Sequence, residues 1–125
     1  MAFYYKRKIN TVERKSKYNN KKIEFDGQKF DSKKEAARYM ELRQQEIAGF
    51  ITNLRTQTPF EICPKIKGVK GSRARKYIAD FTYNDAYGRK IIEDVKSAIT
   101  RKNPVYTLKK QLVQWQYPEW IFTET

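Results

Sequence analysis

Asp80 and Asp94, with Lys96 two residues beyond, are the residues of this sequence best suited to chemistry. Residues 76–84 and 90–97 both read as strands, and the turn between them contains Asp85 and Gly88. If Asn84 pairs with Lys90, the loop 85–89 has an ordinary hairpin length, and the same register sets Asp80 opposite Asp94. Side chains alternate along a strand, so Lys96 shares a face with Asp94 while Glu93 points away. Cross-strand neighbours stand about 4.5–5.5 Å apart at Cβ, close enough for two carboxylates to hold one Mg²⁺, with Mn²⁺ able to substitute. A cation held there would polarise a scissile phosphate and lower the pKa of a bound water. Lys96 could orient that water or stabilise the charge developing on the phosphate.

The composition narrows the chemistry further. The chain has no histidine and one cysteine, Cys63. Ser-His-Asp and Cys-His nucleophiles, histidine-dependent metal centres and histidine-based nuclease chemistry are therefore excluded. For a hydrolase, carboxylates holding a hard metal ion are the main option left. A lone cysteine also rules out an internal disulfide framework and fits a reducing cytosol, so a cytoplasmic location is expected. No apolar run approaches a membrane span, and the basic start has no apolar segment behind it to form a signal peptide.

The 125 residues carry 27 Lys plus Arg against 14 Asp plus Glu, a net charge of +13. Two segments account for all of it. Residues 1–22 contain eight cations against Glu13, a net of +7, and residues 65–76 contain six cations and no acid, a net of +6. A neutral body with two basic segments is the pattern of a polyanion binder. The candidate phosphate contacts are Lys6, Arg7, Lys8, Lys21 and Lys22 in the first segment, and Lys67, Lys70, Arg73, Arg75 and Lys76 in the second. Neither segment has the apolar face of a membrane-surface helix.

The elements that must position these residues follow from local signals. Residues 1–22 lack an apolar period and read as a flexible basic arm, leaving 23–125 as one folded domain. Residues 23–30, with Asp26-Gly27 at the centre, predict a small hairpin. Ser32 and Glu35 stand at capping-box spacing and open a helix that ends at Gly49, with Ala36, Met40 and Ile47 as its apolar stripe and Tyr39 and Leu42 on one flank. A first strand over 57–66 contains Pro59 and Pro64 and so reads as an edge or irregular strand, with Cys63 as a small apolar strand residue. After the two strands of the hairpin, Asn103-Pro104 starts a second helix, where Val105, Leu108, Leu112 and Trp115 recur at helical spacing. Pro118 ends it, and 120–123 forms a last strand, with Trp115 and Trp120 expected in the core. The order is helix, three strands, helix, strand: an α/β (α+β) domain with a mixed sheet flanked by helices.

At this point the residues resemble a known superfamily. An Asp, a spacer, then Asp or Glu, any residue and Lys is the signature of the PD-(D/E)XK nucleases, and here it reads Ala79-Asp80 followed by Asp94-Val95-Lys96. The element order over about residues 23–124 resembles that superfamily's restriction-endonuclease-like core. A closer similarity is to an uncharacterised bacteriophage family placed in the superfamily. It rests on Lys17-Tyr18-Asn19-Asn20-Lys21-Lys22, Phe30-Asp31-Ser32-Lys33-Lys34-Glu35-Ala36, Gln57, Ala79-Asp80-Phe81 and Glu93-Asp94-Val95-Lys96. The usual Pro before the first Asp is Ala79 here. The resemblance implies that Glu35, on the first helix, completes the metal site. It also implies accessory roles for Gln57 and for Lys109 on the second helix. Glu35 has a competing role as the capping partner of Ser32, and Glu93 reads as a structural or outer-shell group.

The expected function is a Mg²⁺-dependent endonuclease acting on DNA, selective for branched structures such as Holliday junctions, in phage recombination, replication or packaging. Arm and loop contacts to phosphate give affinity without sequence information, which leaves shape as the source of selectivity. Symmetric cleavage of a junction would require a homodimer. The alternative is a non-catalytic basic nucleic-acid-binding protein, architectural or RNA-binding, in which the acidic pair is incidental.

Overall fold

Turn and cap chemistry set most of the element boundaries in the computed structural model, which describes residues 22–125. The arm cations Lys6, Arg7, Lys8 and Lys21 lie outside the described residues. The described chain forms two compact units, one ending at Ala37 and the other spanning Arg38–Thr125.

In the first unit, β1 (Ile23–Phe25) and β2 (Gln28–Phe30) pair antiparallel, Ile23 opposite Phe30. Asp26 and Gly27 both take positive φ, 58° and 77°, which a two-residue hairpin turn requires and which Asp and Gly tolerate. Helix α1 (Lys33–Ile47) begins in this unit and ends in the second. Ser32 Oγ accepts the Glu35 N–H at 3.1 Å, as the capping spacing predicts. At the other end Gly49, with φ 88°, lets the Phe50 N–H reach the Gln45 carbonyl and its own N–H reach that of Glu46.

The second unit is built on a four-stranded sheet in the order β3-β4-β5-β6. Its strands are β3 (Thr52–Cys63), β4 (Arg75–Asn84), β5 (Lys90–Asp94) and β6 (Trp120–Glu124). The first two pairings are antiparallel and β5–β6 is parallel, so the sheet is mixed and the fold is α+β. As its prolines predict, β3 is an edge strand. It starts at Thr52, earlier than expected, and Asn53 and Gln57 interrupt it with φ of 59° and 54°. Cys63 ends the strand exposed to solvent instead of packing as an apolar residue. A short helix, α2 (Ala98–Arg101), precedes α3 (Pro104–Gln116), and neither it nor the early hairpin belongs to the simple helix-strand order. Asn103 caps α3 through its Oδ1, which accepts the N–H groups of Val105 and Tyr106. No helix among the described residues is long and apolar enough to cross a membrane.

The core between α3 and the sheet contains Phe60, Ile62, Tyr77, Ala79, Ile92, Tyr106 and Val113. Phe60 meets the rings of Tyr117 and Trp120 edge-on at 5.1 and 5.2 Å. Both helices are rotated from their expected orientation. On α1 the buried residues are Ala36, Tyr39 and Leu42, whereas Met40 is 41% and Ile47 71% exposed. The rotation stacks Tyr39 on Phe81 at 6.4 Å and lets Arg38 reach the sheet. On α3, Val105, Leu108 and Trp115 are exposed, the last at 74%. The inward stripe is instead Tyr106, Lys110, Val113 and Tyr117, whose spacing is equally helical but three of which have polar tips, and Leu112 of the expected stripe packs partly buried beside them. Gln116 and Tyr117 then anchor the helix end by donating to the Ile62 and Glu61 carbonyls.

Candidate active site

The β4–β5 hairpin takes the expected register, with Asn84 opposite Lys90 and pairing continuing to Phe81 opposite Glu93. Its turn is held by Asp85, whose Oδ1 accepts the N–H groups of Tyr87 and Arg89 and whose Oδ2 pairs with the Arg89 guanidinium at 2.7 Å. One step beyond Phe81–Glu93, side chains replace the backbone ladder. Asp80 N–H donates to Asp94 Oδ1 at 2.8 Å, and Val95 N–H donates to Asp80 Oδ2 at 2.9 Å. The two carboxylates are thus fixed by reciprocal backbone bonds across the strands.

Lys96 lies past the end of β5, yet its backbone is held by the Thr125 carbonyl at 3.2 Å. Its ammonium stands 3.6 Å from Asp80 Oδ2 and 5.3 Å from the Tyr106 ring centroid. Asp94 is fully buried, and its Oδ2 has no hydrogen-bond partner among the described residues. Burial raises the Asp94 pKa, opposed by the positive charge of Lys96. A buried carboxylate oxygen without a donor is costly. A hard divalent cation fits this donor set, since Mg²⁺ takes oxygen ligands and is commonly held by one or two carboxylates plus water and substrate phosphate. Among the described residues no group of three or more carboxylate or cysteine side chains is clustered tightly enough to hold a metal. Asp80 and Asp94 are the pair of carboxylates in the second unit whose arrangement would suit such an ion.

A third carboxylate stands in the same row. Asp94 pairs with Glu124 across the parallel β5–β6 ladder, and nothing in the sequence reading singled Glu124 out. It is already engaged: Tyr106 donates its hydroxyl to Oε2, Lys110 lies at 3.2 Å and Arg101 at 3.9 Å. Burial alone would raise the Glu124 pKa, but the Tyr106 and Lys110 hydrogen bonds hold it below the ordinary carboxylate value. The Tyr106 phenol is raised, chiefly by burial and then by Glu124. Lys110, rather than the half-buried Lys109 beside it, is the α3 lysine that meets the acidic row.

On the opposite face Glu93 does point away from Asp94. Arg38 forks onto it, Nη2 to Oε1 at 3.1 Å and Nε to Oε2, while Tyr83 and Thr125 donate their hydroxyls at 2.7 Å each. Despite burial, these bonds keep the Glu93 pKa below its ordinary value. With both oxygens filled, Glu93 braces the strand that carries Asp94. A clue to Arg38 was its place between Ala36 and Tyr39, since a charge on a buried helix face requires a buried partner.

Glu35 is buried in the first unit, on the opening turn of α1, where its backbone completes the Ser32 cap. Gln57 lies opposite Asp80, between the pairs Thr56–Phe81 and Thr58–Ala79, with an exposed side chain and a positive φ. Lys22 faces Asp31 at 3.6 Å, both well exposed, a contact of small energetic weight. Lys67, Lys70, Arg73, Arg75 and Lys76 are all exposed around the loop that joins β3 to β4, and none of them forms an ion pair with a carboxylate among the described residues. Gly68 and Gly71 turn this loop with φ near 83° and 82°, and Ser72 Oγ accepts the Ile66 N–H at 2.8 Å.

No curated protein matches this sequence. A family described as "Protein of unknown function (DUF1064)" matches residues 15–124, nearly the whole chain, and the chain belongs to that family.

Proposed function

We propose that this protein is a metal-dependent endonuclease that hydrolyses DNA phosphodiester bonds and selects branched DNA by shape. One observation carries the reading: Asp80 and Asp94 are locked together across β4 and β5, with the buried Asp94 Oδ2 lacking a donor and Lys96 at the edge. A bound Mg²⁺ would supply Lewis-acid polarisation of the phosphate and acidify an attacking water. Asp80 and Asp94, each fixed by a backbone N–H at one carboxylate oxygen, would hold that cation. Lys96, partly open to solvent beside Asp80, balances negative charge gathering on the phosphate. Tyr106 and Lys110 keep Glu124 occupied, so the neighbouring acid does not add an unpaired charge to the row. Glu35 remains a candidate further ligand through the family resemblance.

The β3–β4 loop supports a nucleic-acid substrate, because exposed cations with no acidic partner among the described residues are ready to displace counterions from phosphates. Replacing Lys67, Lys70 and Arg73 together by Gln is expected to weaken DNA binding and flatten its log–log salt slope by up to about 2.7, at about 0.9 per lost phosphate contact. An unchanged slope, measured by fluorescence anisotropy across a salt series, would remove the loop from the interface. Symmetric cutting of a four-way junction takes two sites and hence two copies of the chain. A cytoplasmic setting, in recombination, replication or packaging of phage DNA, belongs to the same reading.

The experiment is cleavage of labelled linear, flapped and four-way DNA by the purified chain, with Mg²⁺ or Mn²⁺ and with chelator. Metal-dependent strand scission, fastest on branched substrates, is the expected result. Salt-sensitive binding with no scission on any substrate would replace this reading with that of a non-catalytic nucleic-acid-binding protein.

A further inference from the structure

A second feature lies at the other end of the same strands. A cleft of about 260 Å³ opens where β3, β4, β5 and β6 begin or end, lined by Arg55, Thr58, Thr82, Lys90 and Trp120 among others, with no acidic residue among its described lining. Arg55 and Lys90 reach it from opposite sides of β4, and neither pairs with a carboxylate among the described residues. Two cations gathered at one polar cleft repel each other, and an anion bound between them turns that repulsion into attraction. The Thr58 and Thr82 hydroxyls, bonded to each other at 2.8 Å, keep hydrogen-bonding capacity for a ligand oxygen.

Trp120 adds the second chemical cue. Its half-buried indole is fixed from below by the Phe60 ring at 5.2 Å, while Lys90 Nζ lies 5.4 Å from its centroid. A rigid aromatic surface beside two cations suits a planar base attached to a phosphate: stacking recognises one part and charge the other. The volume is of the order of a single nucleotide unit. We infer that this cleft binds one nucleotide, its phosphate between Arg55 and Lys90 and its base against Trp120.

The cleft is aligned with the acidic row. Lys90 and Asp94 stand four residues apart on one face of β5, about 13 Å at strand rise, and Trp120 and Glu124 mark the same two rows on β6. That distance equals about four nucleotide steps at the 3.4 Å spacing of a duplex strand. The cleft would thus hold a strand at a fixed distance from the cut. This role rests on the nuclease reading, whereas binding itself does not and can be measured without metal.

The protein has two tryptophans, and Trp115 is exposed on α3, so Trp115→Phe leaves Trp120 as the sole indole reporter. In this background, with chelator present, emission is followed while titrating thymidine 5′-monophosphate, a short oligothymidylate, thymidine and inorganic phosphate. Saturable change with the monophosphate or the oligonucleotide is expected, with thymidine and phosphate about tenfold weaker or more. A response to the monophosphate identifies a free nucleotide as sufficient; a response to the oligonucleotide alone identifies a nucleotide within a strand. Arg55→Gln with Lys90→Gln, its fold checked by circular dichroism, should weaken binding about tenfold or more. No saturable change with any nucleotide, equal affinity for phosphate alone, or full binding by the folded double variant would each overturn the inference. None of these outcomes depends on whether the protein cleaves DNA.

Discussion

Replacing Asp94 by Asn is expected to abolish cleavage and at the same time raise the melting temperature. The loss should be about 10²–10³-fold or more, the scale of removing one preorganised electrostatic group, here through the cation that Asp94 would hold. Stability moves the other way because Asp94 is fully buried and its carboxylate is short of donors. Burial lifts its folded pKa above the ordinary carboxylate value, so keeping it charged opposes folding at neutral pH. The sign follows from proton uptake. A carboxyl with a raised folded pKa binds more protons folded than unfolded, so its penalty grows as pH rises from the ordinary value, about 4, through the raised one, and stays constant above. Asn keeps the oxygen that accepts the Asp80 N–H and discards the charge. The gain should therefore be largest above the raised value and vanish as the pH falls towards 4. Differential scanning calorimetry of both proteins across pH checks this, and a lower melting temperature for Asp94→Asn at pH 7 would show that its charge is already compensated.

The largest loss of stability is expected at Arg38, outside the candidate site. Arg38→Met would strand the Glu93 carboxylate in the core with two hydroxyl donors and no cation. Breaking a buried pair from one side typically costs about 3–5 kcal/mol, a large share of the stability of a domain this size. Combining Arg38→Met with Glu93→Gln removes the stranded charge and should recover much of the loss, whereas two independent effects would simply add. Glu93 also sets an acid limit. Its folded pKa lies below the ordinary value, so its contribution is complete above about 4.3 and is lost as pH falls through the depressed value. The parent should therefore lose stability over that acidic range and the double variant should lose less of it. Urea titrations at pH 7 and pH 3 measure both expectations.

What could be read in the sequence, and what could not, divides along physical lines. The β4–β5 register was legible because a short turn fixes it locally: Asp85 and Gly88 dictate the loop, and the loop dictates that Asp80 faces Asp94. The helix starts at Ser32 and Asn103 and the stop at Gly49 were legible for the same reason, since caps act through neighbouring atoms. Glu124 was not, because no local turn sets a parallel register; the whole of α3 lies between β5 and β6. The rotation of both helices escaped the apolar periodicity because polar-tipped residues share the inward faces with apolar ones, Arg38 and Tyr39 on α1 and Tyr106, Lys110 and Tyr117 on α3. Arg38 and Tyr106 seek Glu93 and Glu124, and that gain outweighs the exposure of Met40, Val105 and Trp115. The early start of β3 was hidden by Asn53 and Gln57, whose left-handed backbone breaks the alternation expected of a strand.

The central claim is that Asp80 and Asp94 together hold the cation that makes this protein a nuclease. Its most direct test is the initial rate of four-way junction cleavage by the parent and by Asp80→Asn, each in Mg²⁺ and in chelator, with both proteins shown to bind the junction equally. The account predicts scission by the parent in Mg²⁺ alone, and none above background by Asp80→Asn in either condition. Equal cutting by the two proteins, or cutting by the parent that persists in chelator, would contradict it.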